Sequence, residues 1–225
     1  MMETPRLSVV IPVLNESGEI ESCLSALSLL RKEGVEVIVV DGGSDDNTRE
    51  KAAPLADRIV ISERGRARQM NAGAAVARGH HLLFLHVDTR MPQGFDGQWL
   101  ADSEWGFFNV RLSGSNLCFR LIERAMSWRS RLTAIGTGDQ GLFVKRSLFE
   151  LLGGFPDQPL MEDVAFCAGL KASARPRIIA EPVLTSSRRW ENRGILRTVL
   201  EMWSLRAAYF VGVSPGTLVR RYYPE

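Results

Sequence analysis

Leu7-Ser-Val-Val-Ile-Pro-Val-Leu14, followed at once by Asn15, Glu16, Ser17 and Gly18, sets the reading of the chain. A short β-branched run without polar alternation suits a strand covered on both faces. The polar residues behind it open a helix, in which Ile20, Cys23, Leu24, Leu27 and Leu30 recur at three- and four-residue steps until Gly34 stops the pattern. The alternation then repeats. Val35–Val40 predicts a second strand, and Asp41-Gly-Gly-Ser-Asp-Asp-Asn-Thr48 a turn with N-cap candidates for another helix. Arg58–Ser62 predicts a third strand, Gly65–Arg78 a helical stretch and His81–His86 a fourth strand. Strands alternating with helices imply right-handed crossovers, hence an α/β class with a mostly parallel central sheet flanked by helices.

Beyond residue 90 the pattern is less regular. Strands are expected at Gly106–Leu112, Leu142–Lys145 and Ile178–Thr185, and helices at Cys118–Trp128, Glu162–Ala172 and Ile195–Val211. No repeat, low-complexity tract or Pro/Ser-rich linker interrupts the chain, so residues 1–225 are expected to form a single domain with halves 1–90 and 91–225. Hydrophobic residues at 45% and charged ones at 24% exclude disorder as the main state. Twenty-eight Lys and Arg against 26 Asp and Glu leave +2, too small a surplus for a protein that binds nucleic acid through its phosphates. Cys23, Cys118 and Cys167 have no spacing for a zinc site or a redox dithiol, and each reads as a small buried hydrophobe in a reducing compartment. The first residues lack signal-peptide organisation and no apolar run is long enough to span a bilayer, so a cytoplasmic protein is expected, soluble or held peripherally at the inner face of a membrane.

In an open parallel sheet ligands bind beyond the carboxyl ends of the strands. Those ends carry Asn15 and Glu16, Asp41, and His86-Val-Asp88-Thr-Arg90. Asp45, Asp46 and Asn47 are read as turn and cap residues ahead of any functional role. His86 and Asp88 at alternate positions reach one side of an extended backbone, where they either grip a divalent ion or act as a packed histidine and a turn cap. Magnesium or manganese is the ion expected if phosphate oxygens complete the shell. No Walker loop and no Gly-x-Gly-x-x-Gly follows the first strand, which removes the main support for an ATPase or a dinucleotide dehydrogenase. Arg64, Arg66 and Arg68 are placed to meet a diphosphate, against a background in which Arg is abundant throughout. Glu162 and Asp163 begin a predicted helix, where one acid is expected to work and the other to cap. In the last helix Ile195, Leu196, Val199, Leu200, Trp203, Ala207 and Phe210 form an apolar face needing a cover: the domain itself, a second copy or a membrane surface.

Together these pieces resemble the family-two glycosyltransferases, whose nucleotide-sugar-binding fold is called GT-A. The resemblance runs through Val10-Ile-Pro-Val-Leu-Asn-Glu16, Val39-Val-Asp-Gly-Gly-Ser-Asp-Asp46, Asn71-Ala-Gly73, Leu85-His-Val-Asp-Thr89, Gly153-Gly-Phe-Pro156 and Glu162-Asp163. It implies that Asp41 recognises the nucleotide base and that the backbone of Pro12 and Val13 and the side chain of Glu16 line the same pocket. Arg68 is implied as a donor contact, Asp88 as the last acid of an Asp-x-Asp metal motif in which His86 replaces the first acid, and Asp163 as the general base of an inverting enzyme. Ser186-Ser-Arg-Arg-Trp190 resembles a Gln/Arg-x-x-Arg-Trp sequence of processive polymerases, with Ser186 as a departure that favours single transfers. Arg189 would then face the leaving diphosphate and Trp190 an acceptor. Residues 1–90 become the nucleotide-sugar half and 91–225 the acceptor half. The expected reaction moves a sugar from a uridine or guanosine diphosphate sugar to a hydroxyl acceptor, a lipid-linked one among the candidates, with manganese or magnesium. A nucleotidyltransferase of similar fold and a non-catalytic nucleotide-sugar binder are the competing readings.

Overall fold

The computed structural model describes residues 5–222. In the first half lie β1 (Leu7–Val13), α1 (Ile20–Ala26), α2 (Ser28–Lys32), β2 (Glu36–Asp41), α3 (Thr48–Ala52), β3 (Arg58–Ile61), α4 (Arg66–Val76) and β4 (His81–Phe84). The second half contributes β5 (Thr89–Arg90), β6 (Trp105–Leu112), α5 (Leu117–Thr133), β7 (Leu142–Lys145), α6 (Arg146–Leu151), α7 (Glu162–Ser173), β8 (Arg177–Thr185), α8 (Arg188–Arg193), α9 (Ile195–Phe210) and α10 (Pro215–Tyr222). One eight-stranded sheet runs in the order β3-β2-β1-β4-β7-β6-β8-β5. Its first four strands are parallel, as the alternating pattern predicts. Past β4 the sheet is mixed: β7 pairs antiparallel with β4 and β6, whereas β8 runs parallel to β6.

Successive residues of a strand face opposite sides of its sheet, and the central strands are buried on both. Val9, Ile11, Val37 and Val39 enter one core layer, while Val10, Ile38 and Val40 enter the other. The helix predicted from Ile20 to Leu30 is divided at Leu27 into α1 and α2, yet Leu27 and Leu30 stay buried as its period requires. Helices α6, α8 and α10 and strand β5 were not anticipated; three of them are no longer than six residues, too short to display a period.

Two motif pieces have packing reasons. Gly73 brings α4 down onto β1 and β2, since a Cβ there would lie 2.4 Å from Val10 Cγ1 and 2.8 Å from Val40 Cγ2. Asn71, one half-turn earlier, donates through Nδ2 to Phe155 O at 2.8 Å and accepts from Phe155 N at 2.9 Å. Gly154, at φ +77°, leaves room for that amide, because a Cβ would approach Asn71 Oδ1 to 2.6 Å. The Asn-Ala-Gly and Gly-Gly-Phe-Pro pieces are thus two sides of one clamp.

Glu36 was read as part of an apolar strand, yet its carboxylate is only 3% exposed. Burial alone would raise its pKa, but hydrogen bonds from Ser8 Oγ (2.6 Å), Arg78 N (2.8 Å) and Arg78 Nε (2.9 Å) hold it below the ordinary range. Glu36→Ala strands those donors and should destabilise the protein by about 2–3 kcal/mol in urea unfolding. The Glu36 contribution is fully present above the ordinary carboxylate range and is lost as pH falls through the depressed folded value. A variant as stable as the parent at neutral pH would show that water replaces the carboxylate without cost.

Cys23 and Cys167 are buried, and burial pushes their thiols up to about 11 and about 12. Cys118 departs from expectation: it is exposed, and the residue that the first turn of α5 buries is its neighbour Phe119. Helix α9 also departs from a simple amphipathic account. Its buried residues are Thr198 and Leu205; Leu205 packs with Leu160, Leu218 and Tyr222 and so ties α9 to α10, while Leu196, Leu200, Trp203 and Phe210 remain exposed. Self-packing therefore uses a different side of the helix from the predicted apolar face. Among the described residues no helix is long and apolar enough to cross a membrane.

Candidate active site

The loops after β1 and β2 lock each other. Asn15 N donates to Ser44 Oγ (2.9 Å), Glu16 N to Thr48 Oγ1 (2.8 Å) and Ser17 N to Asp46 Oδ2 (3.1 Å). Asp46 also accepts from the Thr48 hydroxyl, and these hydrogen bonds hold its carboxyl down at about 2. Its structural reading is the one the geometry supports. Asp41 is wholly buried at the end of β2, accepting from Gly43 N (3.1 Å), Ser44 N (3.0 Å) and the Ser44 hydroxyl. Gln69 on α4, unnoticed in the sequence, donates to Val13 O (2.8 Å) and Val40 O (2.9 Å), fixing the ends of β1 and β2 side by side. The backbone of Pro12 and Val13 is therefore held in place, though neither residue lines the large cavity described next.

That cavity, of about 570 Å³, opens between the carboxyl end of β4, the start of α7, and α5, α8 and α9. It gathers His86, Asp88, Asp163 and Arg189 of the expected residues, and leaves Glu16, Asp41 and Arg68 outside its wall. His86 Nδ1 lies 3.3 Å from Asp139 Oδ1, and the ring packs on Gly138, where a Cβ would come within 2.5 Å of Nε2. Asp88 is less engaged: its one hydrogen bond among the described residues is a long one from Thr89 Oγ1, at 3.4 Å. Glu16 lies close enough that burial first, and then the Asp88 charge, raise its carboxyl pKa. Arg66, rather than Arg68, reaches the cavity. Arg68 is held by Asp157 (Nε to Oδ1, 2.9 Å) and Glu63 (2.6 Å).

Both acids at the start of α7 line the cavity. The N-cap position is Met161, at φ 64°, whose side chain makes no cap hydrogen bond; of the two acids Asp163 is the one that takes up a first-turn N–H. Asp163 accepts from Gly138 N (2.8 Å) and Val164 N (2.7 Å), which fixes its plane and leaves lone pairs for another donor. Glu162 is 5% exposed, and burial followed by the neighbouring Asp163 charge raises its pKa. On the opposite side Arg189 stacks over the Tyr222 ring at 3.9 Å and bonds its hydroxyl, while Arg188 pairs with Glu19 at 3.0 Å and draws α8 toward α1. Trp190 lies beside Arg189 in the cavity wall.

Among the described residues no three His, Cys, Asp or Glu side chains form a metal cage by themselves. The donors do fit a hard cation that takes the rest of its shell from phosphate and water, since Asp88 offers an uncommitted carboxylate on the cavity wall.

Residues 8–104 match the model described as Glycosyl transferase family 2. Over this segment, 97 of the 225 residues, the chain is similar to glycosyltransferase family 2. The glycosyltransferase AglE of Haloferax volcanii is 36% identical over 176 residues, covering 68% of this chain and 57% of its own length. A PGL/p-HBAD biosynthesis glycosyltransferase of Mycobacterium bovis is 36% identical over 94 residues, 39% of this chain and 37% of its own. The chain thus spans between about a third and just over half of these curated relatives. Among solved structures, the mannosyltransferase PcManGT of Pyrobaculum calidifontis, in complex with GDP-Man and Mn2+, is similar at a TM-score of 0.59 and 26% identity, over 92% of this chain and 62% of that one. S. aureus TarS 1-349 in complex with UDP shares the fold at a TM-score of 0.63 and 18% identity, over 80% of this chain and 60% of that one. The expected α/β, GT-A architecture is the observed one.

Proposed function

We propose that the protein is an inverting, non-processive glycosyltransferase that moves a sugar from a nucleoside-diphosphate sugar, of uridine or guanosine, to a hydroxyl acceptor. The observation carrying this reading is that Asp88 and Asp163 line one cavity from two different elements, with Arg66 and Arg189 in the same wall. One acid suits a cation on a diphosphate and the other suits a hydroxyl that must lose its proton. Asp163, oriented by two backbone N–H groups, takes that proton as the acceptor oxygen attacks the anomeric carbon and the nucleoside diphosphate leaves from the opposite face. Arg66 and Arg189 face the negative charge that develops on the leaving diphosphate. Asp88, with His86 beside it, would hold a divalent ion, manganese or magnesium, which supplies charge neutralisation to the diphosphate when bound. Glu16 and Asp41 shape the donor side from the loops after β1 and β2, Pro12 and Val13 contribute backbone there, and Arg68 braces α4 at its margin.

Residues 1–90 act in this reading as the donor half and 91–225 as the acceptor half of one domain. The free thiols suit a reducing cytoplasm. Ser186, where a processive enzyme would carry Gln or Arg, supports single transfers.

A thermal-shift panel of nucleoside diphosphates and their sugars, with and without manganese, tests the donor. One base should stabilise the fold selectively, by about 2.7 kcal/mol at a hundredfold excess over Kd, and more so with the ion. Turnover with an acceptor should release nucleoside diphosphate; release of pyrophosphate would establish the nucleotidyltransferase reading, and binding without turnover across a broad acceptor panel the non-catalytic one.

A further inference from the structure

Two cavity arginines take no part in the chemistry above. Arg129 on α5 and Arg206 on α9 are half-buried in the wall on the acceptor side. Arg129 donates through Nη2 to Ser130 Oγ at 3.0 Å and reaches Gln140 Oε1 at 3.4 Å, while its Nε is buried without a hydrogen-bond partner. Arg206 makes no hydrogen bond or ion pair with another described residue. Burial, and then the charge of Arg206, push Arg129 down to about 10, and burial lowers Arg206 as well. Arg129 stays cationic at neutral pH, and a guanidinium such as that of Arg206 is not deprotonated in proteins. The carboxylate they share is Asp163, whose oxygens already accept two backbone N–H groups. Like charges held together away from water are costly unless an anion joins them.

Around this pair the wall turns apolar. Ile122 and Met126 of α5 and Val199 and Met202 of α9 line the same cavity, as do Trp203 and Phe210, which are 71% and 62% exposed. Guanidinium forks in a wall shared with apolar side chains match a molecule with a charged oxyanion at one end and a hydrocarbon body at the other.

We propose that Arg129 and Arg206 form an anion subsite for the acceptor, which is an anionic amphiphile: besides the hydroxyl that receives the sugar, it carries a phosphate or carboxylate group joined to an apolar body that lies between α5 and α9. This assignment rests on the transferase reading only for the word acceptor; the subsite stands on its own geometry.

Titration calorimetry of the intact protein at neutral pH, with decyl phosphate kept below its micelle concentration, inorganic phosphate and decyl maltoside, tests it. Decyl phosphate should bind at least about tenfold more tightly than either of the others, and Arg206→Gln should lose about tenfold or more of that affinity, on the scale of a charge-assisted hydrogen bond. Arg206→Gln should bind nucleoside diphosphate with manganese as the parent does. Arg129→Gln should lose a similar factor, with Arg206→Gln as the deciding variant because Arg206 has no structural hydrogen bond to lose. Equal affinity for decyl phosphate and decyl maltoside, or an unchanged Arg206→Gln, would overturn the anion subsite. Inorganic phosphate binding as tightly as decyl phosphate would overturn the role of the apolar wall, and with it the amphiphile. A parent that binds decyl phosphate but no nucleoside diphosphate would keep the subsite and sink the transferase reading instead.

Discussion

Asp163→Asn should lower turnover by roughly two or more orders of magnitude while the affinity for nucleoside diphosphate stays close to that of the parent. Substitution keeps the shape of the side chain and removes its basicity. It also has a structural side effect: an amide has one oxygen, so Gly138 N and Val164 N can no longer both be satisfied as they are by Oδ2 and Oδ1. A loss of about 1–3 kcal/mol in stability is therefore expected too, and rates are to be compared per folded enzyme. Glu162→Gln is the matching control, because the neighbouring acid also lines the cavity. Loss of turnover in Glu162→Gln with near-parental turnover in Asp163→Asn would move the base to Glu162. A product that retains the anomeric configuration of the donor would overturn the inverting mechanism.

Asp88→Ala should abolish most of the manganese-dependent part of donor affinity, on the order of a hundredfold, since neutralising a diphosphate in such a site is worth several kcal/mol. His86→Asp should act in the opposite direction, adding a hard, charged oxygen in place of an imidazole. Glu16 supplies the pH dependence. Its carboxyl pKa is raised by burial and by Asp88, so donor affinity with manganese should weaken as pH falls into that raised range, where the site gains a proton and loses negative charge. Equal affinity of Asp88→Ala and parent for manganese and for the nucleotide sugar would remove Asp88 from the metal site.

The ends of β1, β2 and β4 were legible because each of their signals is local. Val9–Val13 lacks alternation, which only a strand buried on both faces tolerates, and the polar residues that follow a buried strand have few places to go but the ligand edge. The cavity wall formed by α5 and α9 was not, because its residues declare themselves only in space. Arg129 and Arg206 are 77 positions apart, and each lies in a helix with other arginines, so nothing in the sequence separates them from solvated cations. Gln69 looks like any helix residue until α4 is laid across the ends of β1 and β2. Asp139 sits in a glycine-rich passage that reads as a loop, and only its approach to His86 gives it meaning. The last apolar helix is a related case: periodicity reports that a face is apolar, and says nothing of what covers it.

The unbroken sheet constrains how such enzymes can be recombined. The family match ends at residue 104, which invites grafting of a new acceptor module at that point. Yet β4 forms ladder hydrogen bonds on its outer side with β7, from His81 opposite Lys145 to Phe84 opposite Leu142. A graft made there would bare a four-residue edge whose Leu82, Leu83 and Phe84 are almost wholly buried in the intact protein, a template for edge-to-edge association. It would also delete Phe155, leaving Asn71 without its partner. A viable chimera has to bring its own equivalent of β7 and of the Gly-Gly-Phe-Pro loop, and because β8 in turn pairs with β6 and β5, the second half exchanges as one unit rather than piece by piece.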